Sequence, residues 1–564
     1  MLTSVRRARR GGWTGWAGER RRNLPGGAAK RLAPLRALGG AASAGDPGRI
    51  FVGGGFGSKL AVYPADFVTV FCSMRLGRPV KWTETRSENY QATTHGRDHV
   101  QQVELAAKKD GTVTGLRCTV YAGMGAYLST AAPGIPTILH GLMLSGVYTL
   151  PAVKEDVYGT YTNGTPVDAY RGAGRPEAAF LIERLVDAAA RELGMPAAEL
   201  RRRNFIKPEQ FPYHTAGGRI YDVGEFDGHM TRALEKADFA GFAERAREAE
   251  SRGKLRGFGT AVYIEACAFA GSEPARLTLD SDGGITLYIG TQTNGQGHAT
   301  AYSQFVADQI GIDFEKITVR QGDTAELAKG GGTGGSRSIP LGGVSVSAAS
   351  KVLAEKMKKL AADELEAAAA DIELVDGVAR IVGTDRQITY ADMACAAKSD
   401  EDRTGIADVV QDEATYPNGT HICEIEIDPE TGKVEIVAYT IVDDFGMTVN
   451  PVLLLGQIHG GVVQGIAQCL SEGVVYSEDG QLLTASFMDY AVPRADDMPF
   501  FDFETRNVPS TTNAMGIKGA GEAGTIGACP AVMNALVDAL DRARGVRQIQ
   551  MPATPQRVWE ALNG

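Results

Sequence analysis

No run in this sequence reaches the roughly 18 consecutive apolar residues of a membrane-spanning helix, so no span is expected. There is no C-x-x-C pair either. The seven cysteines (Cys72, Cys118, Cys267, Cys395, Cys423, Cys469 and Cys529) are odd in number and scattered. That pattern argues against a disulfide framework and against an iron–sulfur or structural zinc site within the chain. Arg6, Arg7, Arg9 and Arg10 open the sequence, but no apolar stretch follows them. A secretory or twin-arginine signal is therefore not expected, and the cytoplasm is the default location. Basic charge is also scarce outside the start. The first fifty residues hold eleven Lys/Arg against two Asp/Glu, yet the net charge is −10. The body is acidic, which makes it a poor binder of nucleic acid.

What is present is an ordinary globular composition, 43% hydrophobic and 22% charged, with an excess of glycine. Glycine makes up 70 of 564 residues, roughly 12% against a usual ~7%. The glycines fall in clusters, which suggests loops that let another molecule approach the backbone closely. At this length two or more domains are expected. Residues 1–48, rich in Arg, Gly and Ala without periodicity, read as a disordered leader or a wrongly chosen start. Beyond them helices are expected at 60–75, 176–193, 299–310, 344–370 and 530–543. Hairpins are expected at 99–107 with 112–122, at 277–279 with 285–289, and at 421–428 with 433–443, each around a Gly-containing turn. Three hairpins with separate helices point to an α+β fold rather than a doubly wound parallel sheet. A polar, charged helical stretch at 225–255 suggests a boundary, giving domains at 49–240 and 241–564.

The chemistry is expected in the glycine loops. Residues 519–528, Gly-Ala-Gly-Glu-Ala-Gly-Thr-Ile-Gly-Ala, hold a single acid, Glu522, before a helix expected to start at Pro530. A carboxylate there suits a general base beside a bound cofactor; the bland alternative is a helix cap. Gly53–Lys59 (GGGFGSK) lacks P-loop spacing, but its amides can face an anion or an oxo group, and Phe56 can wall a pocket. Ala169–Pro176 places Arg171 and Arg175 at a helix start, where the dipole favours anions. A ligand role suits Arg171, and a surface salt bridge is favoured for Arg175. Thr293–His298 opens the next helix with Gln296, and His298, with no second histidine nearby, is not expected to bind metal. Gly331–Ser338 reads as a hydroxyl-rich anion cradle, and Gln457–Gly465 as a packed apolar element with two amides. Gly519, Gly521 and Gly524 satisfy G-x-G-x-x-G, but no strand precedes them and the helix is expected later, so a nicotinamide site is not expected. Cys529 is expected to be structural.

In this order, GGGFGSK, AYRGAGRPE, GQGHAT, GTGGSRS, QIHGGVVQG, MDYAVPRADDMP and GAGEAGTIGACP resemble the molybdopterin-binding large subunits of the xanthine dehydrogenase and aldehyde oxidase family. The nearest branch looks like large subunits similar to aerobic carbon monoxide dehydrogenase. The resemblance runs from about Arg49 to the end. It implies a two-domain molybdopterin-binding architecture and a molybdenum hydroxylase acting on an aldehyde or N-heteroaromatic compound with water as oxygen source. The implied cofactor is molybdenum–molybdopterin, in its cytosine dinucleotide form. The implied partners are a 2Fe–2S small subunit and an FAD-binding subunit, in a dimer of heterotrimers. Glu522 aligns with the family's base and Arg171 with its substrate-side arginine. Gly55, Phe56 and Gly57 align with the loop facing the metal. Gln296, Gly297, His298, Gly335, Ser336, Gln464, Gly521 and Gly524 fall at cofactor-binding positions. Gly172 stands where the copper-binding cysteine of carbon monoxide dehydrogenases would be. The resemblance also implies a small α+β domain ahead of the GGGFG loop. Residues 1–48 do not show it, so a late start or a separate chain is expected.

Overall fold

A computed structural model describes residues 52–564 except 324, 325 and 328, so the expectation for residues 1–48 lies outside the described residues. Among the described residues three of the sheets carry the main cores, and each grows from one expected hairpin. His99–Ala107 pairs antiparallel with Val113–Gly125, which takes Val153–Tyr161 as a parallel neighbour. Ala275–Leu279 and Ile285–Ile289 form the middle of a second sheet, flanked by Thr404–Ala407 and Ile317–Arg320. Asn418–Ile427 and Val434–Asp444 lie at the centre of a third, between Leu255–Ile264 and Asp502–Thr505. The main ladders are antiparallel and the parallel pairs lie at sheet edges, so the α+β expectation holds.

Three apolar cores correspond to these sheets. The first packs Arg175–Leu193 against the 99–161 sheet through Leu181, Ile182 and Val186. The second lies between the central sheet and two long helices, Pro451–Leu470 and Ala523–Arg544. The third packs His298–Ile310 and Val344–Leu365 on the 275–320 sheet. Both long helices of the second core have the length and apolarity of a membrane span, but Ala523–Arg544 is almost wholly buried against its neighbours.

The last long helix corrects one expectation. It begins at Ala523, directly after Glu522, and Pro530 sits inside it. An interior proline costs about 3 kcal/mol by removing a backbone bond. Burial of Ile526, Val532, Met533, Leu536, Val537 and Leu540 offsets this, at about 1.5–3 kcal/mol for each large side chain. Tertiary packing therefore overrides the usual first-turn preference of proline. The helix opens inside Gly519–Gly524 after all. What excludes a dinucleotide fingerprint is the absence of a strand over 511–518. Val344–Leu365 also ends earlier than expected, followed by a short turn at Ala369–Asp371.

Candidate active site

The glycine loops, far apart in sequence, meet at one place. Gly54 N–H donates to Asn294 O at 2.8 Å, tying the GGGFG loop to the Gln296 loop. Arg171 N–H donates to Phe56 O at 2.9 Å, tying it to the arginine loop. The glycine at 57 is required by this contact, because at φ 108° any Cβ would overlap the Ala169 carbonyl oxygen. Phe56 remains half exposed, with its ring centroid 5.4 Å from the Arg171 guanidinium.

Arg171 fastens its own loop to two other elements. Its Nε donates to Gly521 O at 2.5 Å, its Nη1 to Gln464 Oε1 at 3.1 Å and its Nη2 to Gln457 O at 2.9 Å. All these acceptors are neutral oxygens, so this buried guanidinium works as a clamp between the 519–524 loop and the Pro451–Leu470 helix. Burial lowers its pKa, and the charges of Glu522 and Glu265 act against that. Arg97, which the sequence did not single out, supports the same loop by donating to Tyr170 O and Arg171 O.

Glu522 occupies the N-cap position of Ala523–Arg544 but makes no side-chain capping bond, so the capping role is not the one it plays. Its carboxylate pairs instead with Arg175. Arg175 corrects the surface-salt-bridge expectation, since its side chain is only 3% exposed. Burial alone would lower its pKa, but Glu522 and Glu265 together outweigh burial and raise it. Glu265 is the residue that sequence reading missed. It follows the Leu255–Ile264 strand, lies fully buried and meets the same Arg175 Nη2 at 3.4 Å. Its signal was an acid inside the apolar run Val262-Tyr263-Ile264-Glu265-Ala266-Cys267.

The remaining expected contacts divide. Ser336 closes against the 519–524 loop: its Oγ is buried without a partner among the described residues, and a Cβ on Gly521 would come within 3.2 Å of it. Gly334 has open space above it, and Gly335 nearly so. The 331–338 loop already holds a carboxylate, however, because Gly331 N–H and Arg337 both bind Glu273, at 2.9 and 2.7 Å. Gln296 accepts from Asn294 N–H at 2.5 Å and contacts His298 at 2.9 Å. His298 is driven down to about pKa 4 by burial, so it is neutral near pH 7. Gly297 packs against Leu453. Gly524, expected at a cofactor position, sits in the contact with Ile458 and Val462, where two helices touch. Cys529 is buried in the same interface with Sγ 3.8 Å from Gly465 O, a structural place. Among the described residues no cluster of His, Cys, Asp and Glu could hold a metal ion. A charged cleft of about 590 Å³ near Arg202 and Glu225 is separate, and its Arg202, Arg232 and Arg506 are paired to acids.

The description "Molybdopterin cofactor-binding domain" matches residues 49–205 and again 232–499. Over 528 residues the chain is 36% identical to the 6-hydroxypseudooxynicotine dehydrogenase complex subunit gamma of Paenarthrobacter nicotinovorans, covering 91% of this chain and 66% of that protein. It is equally similar, at 36%, to the carbon monoxide dehydrogenase large chain of Hydrogenophaga pseudoflava, again covering 91% and 66%. Quinoline 2-oxidoreductase from Pseudomonas putida 86 superposes with a TM-score of 0.84 at 31% identity, over 91% of this chain and 68% of that one. The chain thus spans about two thirds of the length of the curated relatives it matches. Two molybdopterin-binding regions and this likeness across nine tenths of its length place the chain among the molybdopterin-binding large subunits of the xanthine dehydrogenase family.

Proposed function

We propose that this chain is the catalytic large subunit of a molybdenum hydroxylase that oxidises an aldehyde or N-heteroaromatic substrate with water as oxygen source. The observation that carries this reading is Glu522: a carboxylate paired with Arg175, at the meeting point of loops tied together by Arg171. The residues present suit a pterin cofactor. A Ser336 hydroxyl without a partner among the described residues, and open space at Gly334 and Gly335, leave a donor and room for it. Gln296, Gly297, Ser336 and Gly521 would hold the organic part, in the cytosine dinucleotide form, and Gly55, Phe56 and Gly57 would face the metal. When bound, that group supplies a two-electron acceptor and activates water. The chain's own part is proton handling and order. Glu522 takes the proton from the attacking oxygen, Arg175 fixes the carboxylate's orientation, and Arg171 keeps the loop from drifting. A neutral His298 holds Gln296 in place without adding charge.

Electrons leave through 2Fe–2S and FAD subunits in this proposal, in a cytoplasmic dimer of heterotrimers. Support comes from one relative named as a subunit of a complex and another named as a large chain. The proposed division at 240/241 falls between the helices Phe226–Lys236 and Phe242–Ser251. A carbon monoxide reading, as in one relative, is disfavoured by Gly172. It sits at φ 96°, and a Cβ there would strike the Pro176 ring, so this loop does not accommodate a cysteine. The test is metal and nucleotide analysis of the assembled complex, followed by turnover of aldehydes and azaheterocycles. Glu522→Gln is expected to retain molybdenum and released CMP while losing at least ~10³-fold in kcat, about 4 kcal/mol of barrier. Retained turnover would remove Glu522 from its role. Wild-type protein without molybdenum would end the hydroxylase reading in favour of a non-catalytic subunit.

A further inference from the structure

The proposed base has a neighbour that needs explaining. Arg175 Nη2 contacts two carboxyl groups, those of Glu522 and Glu265. The Glu265 side chain is fully buried, whereas that of Glu522 is 15% exposed. A buried ionised carboxylate normally collects several donors. Glu265 collects one, at a long 3.4 Å, and its second oxygen, Oε2, has no donor among the described residues. Both carboxyl groups sit on one nitrogen, Arg175 Nη2, which brings them side by side. Two carboxylates cannot hydrogen-bond to one another; a carboxylic acid and a carboxylate can.

The surroundings agree. Arg171 faces the pair from the loop before Arg175–Leu193 and Arg175 from the first turn of that helix, Glu522 comes from the start of Ala523–Arg544, and Cys267 and Tyr263 flank Glu265 along its own segment. Asp443 lies behind Tyr263. Arg171 does not supply the missing donor, because its guanidinium is committed to Gly521, Gln464 and Gln457. Burial, and after it the charge of Glu522, push the Glu265 carboxyl well above the usual carboxylate range, and Arg175 does not pull it back.

We propose that Glu265 is a protonated positioning residue for Glu522, donating its carboxyl O–H to the Glu522 carboxylate so that Arg175 pairs with a single negative charge. This fixes one edge of the Glu522 carboxylate against Glu265 and Arg175 and leaves the other free. It also keeps the guanidinium and the two carboxyl groups neutral overall until Glu522 accepts a proton. The inference rests on the hydroxylase reading for its consequence but not for its first readout.

That readout is infrared difference spectroscopy of the assembled complex in H2O and D2O. A protonated-carboxyl band that persists at pH 8 is expected in wild type. It should vanish in Glu265→Gln and shift in Glu522→Gln, which alters its acceptor. Glu265→Gln still donates a hydrogen bond and is expected to keep kcat within about threefold. Glu265→Leu removes the donor, and the acid limb of its kcat profile should move up by about one pH unit, the scale of one hydrogen bond to a charged group. Absence of the band, or a band unchanged in Glu265→Gln, would overturn the proposal. So would an acid limb moving down in Glu265→Leu, since that is what removing an ionised neighbour does. Failure of the hydroxylase reading would look different: no molybdenum and no turnover in wild type, with the band intact.

Discussion

At the scale of single residues, the site is held by groups whose charge state is set by burial. His298 is the plainest case, because its side chain is buried at the opening of His298–Ile310 and its pKa falls to about 4. An unfolded chain would protonate this histidine near pH 6.5, while the fold does so only near 4. Between those values the unfolded state binds the extra proton, so stability contributed by neutral His298 is complete above pH 6.5 and is lost as pH falls toward 4. At pH 5 the loss is about 2 kcal/mol. His298→Asn lacks that proton uptake. The stability gap between wild type and this variant is therefore expected to narrow by about 2 kcal/mol between pH 7.5 and 5, read from denaturant midpoints. A constant gap would mean that the histidine binds its proton equally well in the folded and unfolded chain. The residues that carry this argument were unevenly legible. Glu522 and Arg171 stood out because each is a lone charge among small residues. Glu265 did not, because nothing in a strand end announces that its side chain will turn toward a guanidinium 90 residues away.

At the scale of elements, the site depends on how closely two helices approach. Gly524 and Gly461 let Ala523–Arg544 lie against Pro451–Leu470, with Thr525 Oγ1 donating to Gly461 O at 2.9 Å. The approach matters to function because Glu522 begins one helix and the Arg171 clamp grips Gln457 and Gln464 on the other. A Cβ at 524 would sit 2.5 Å from Ile458 O. Gly524→Val is therefore expected to cost about 1–3 kcal/mol by overpacking and to loosen the clamp. Gly456→Ala, on the same helix with nothing within 4 Å, is expected to be neutral or slightly stabilising. Thermal unfolding of the two variants checks this, and equal effects would deny the close approach its role. Hairpins were legible here because Asp-Gly and Gly-Gly turns punctuate alternating strands, as at Asp282-Gly283-Gly284. The start of Ala523–Arg544 was not, because a proline reads locally as a first turn while its tolerance inside a helix is decided by burial from elsewhere.

At the scale of the whole molecule, one strand belongs to two cores at once. Leu255–Ile264 alternates its faces: Val262 and Ile264 enter the first core, and Ala261 and Tyr263 the second. Ala414 and Tyr416, also late in sequence, complete the first core. A buried ion pair stitches the same junction. Glu183 accepts from Val262 N–H at 2.9 Å and pairs with Arg201 at 2.8 Å, while Arg201 donates to Thr260 O at 3.1 Å. Neither side chain of the pair is exposed, so a chain cut at 240/241 would leave Arg201 and Glu183 without part of their hydrogen bonding and the first core without one wall. The family descriptions divide the chain near this point, but the physical contacts cross it. Residues 1–240 expressed alone are therefore expected to aggregate or to expose apolar surface, whereas the same fragment co-expressed with 241–564 should co-purify with it. Cooperative unfolding of the isolated first fragment would show instead that its core closes without the strand. In that case the site, whose Arg171 and Arg175 come from one fragment and Glu265 and Glu522 from the other, would sit at an interface between independently folding bodies rather than within one.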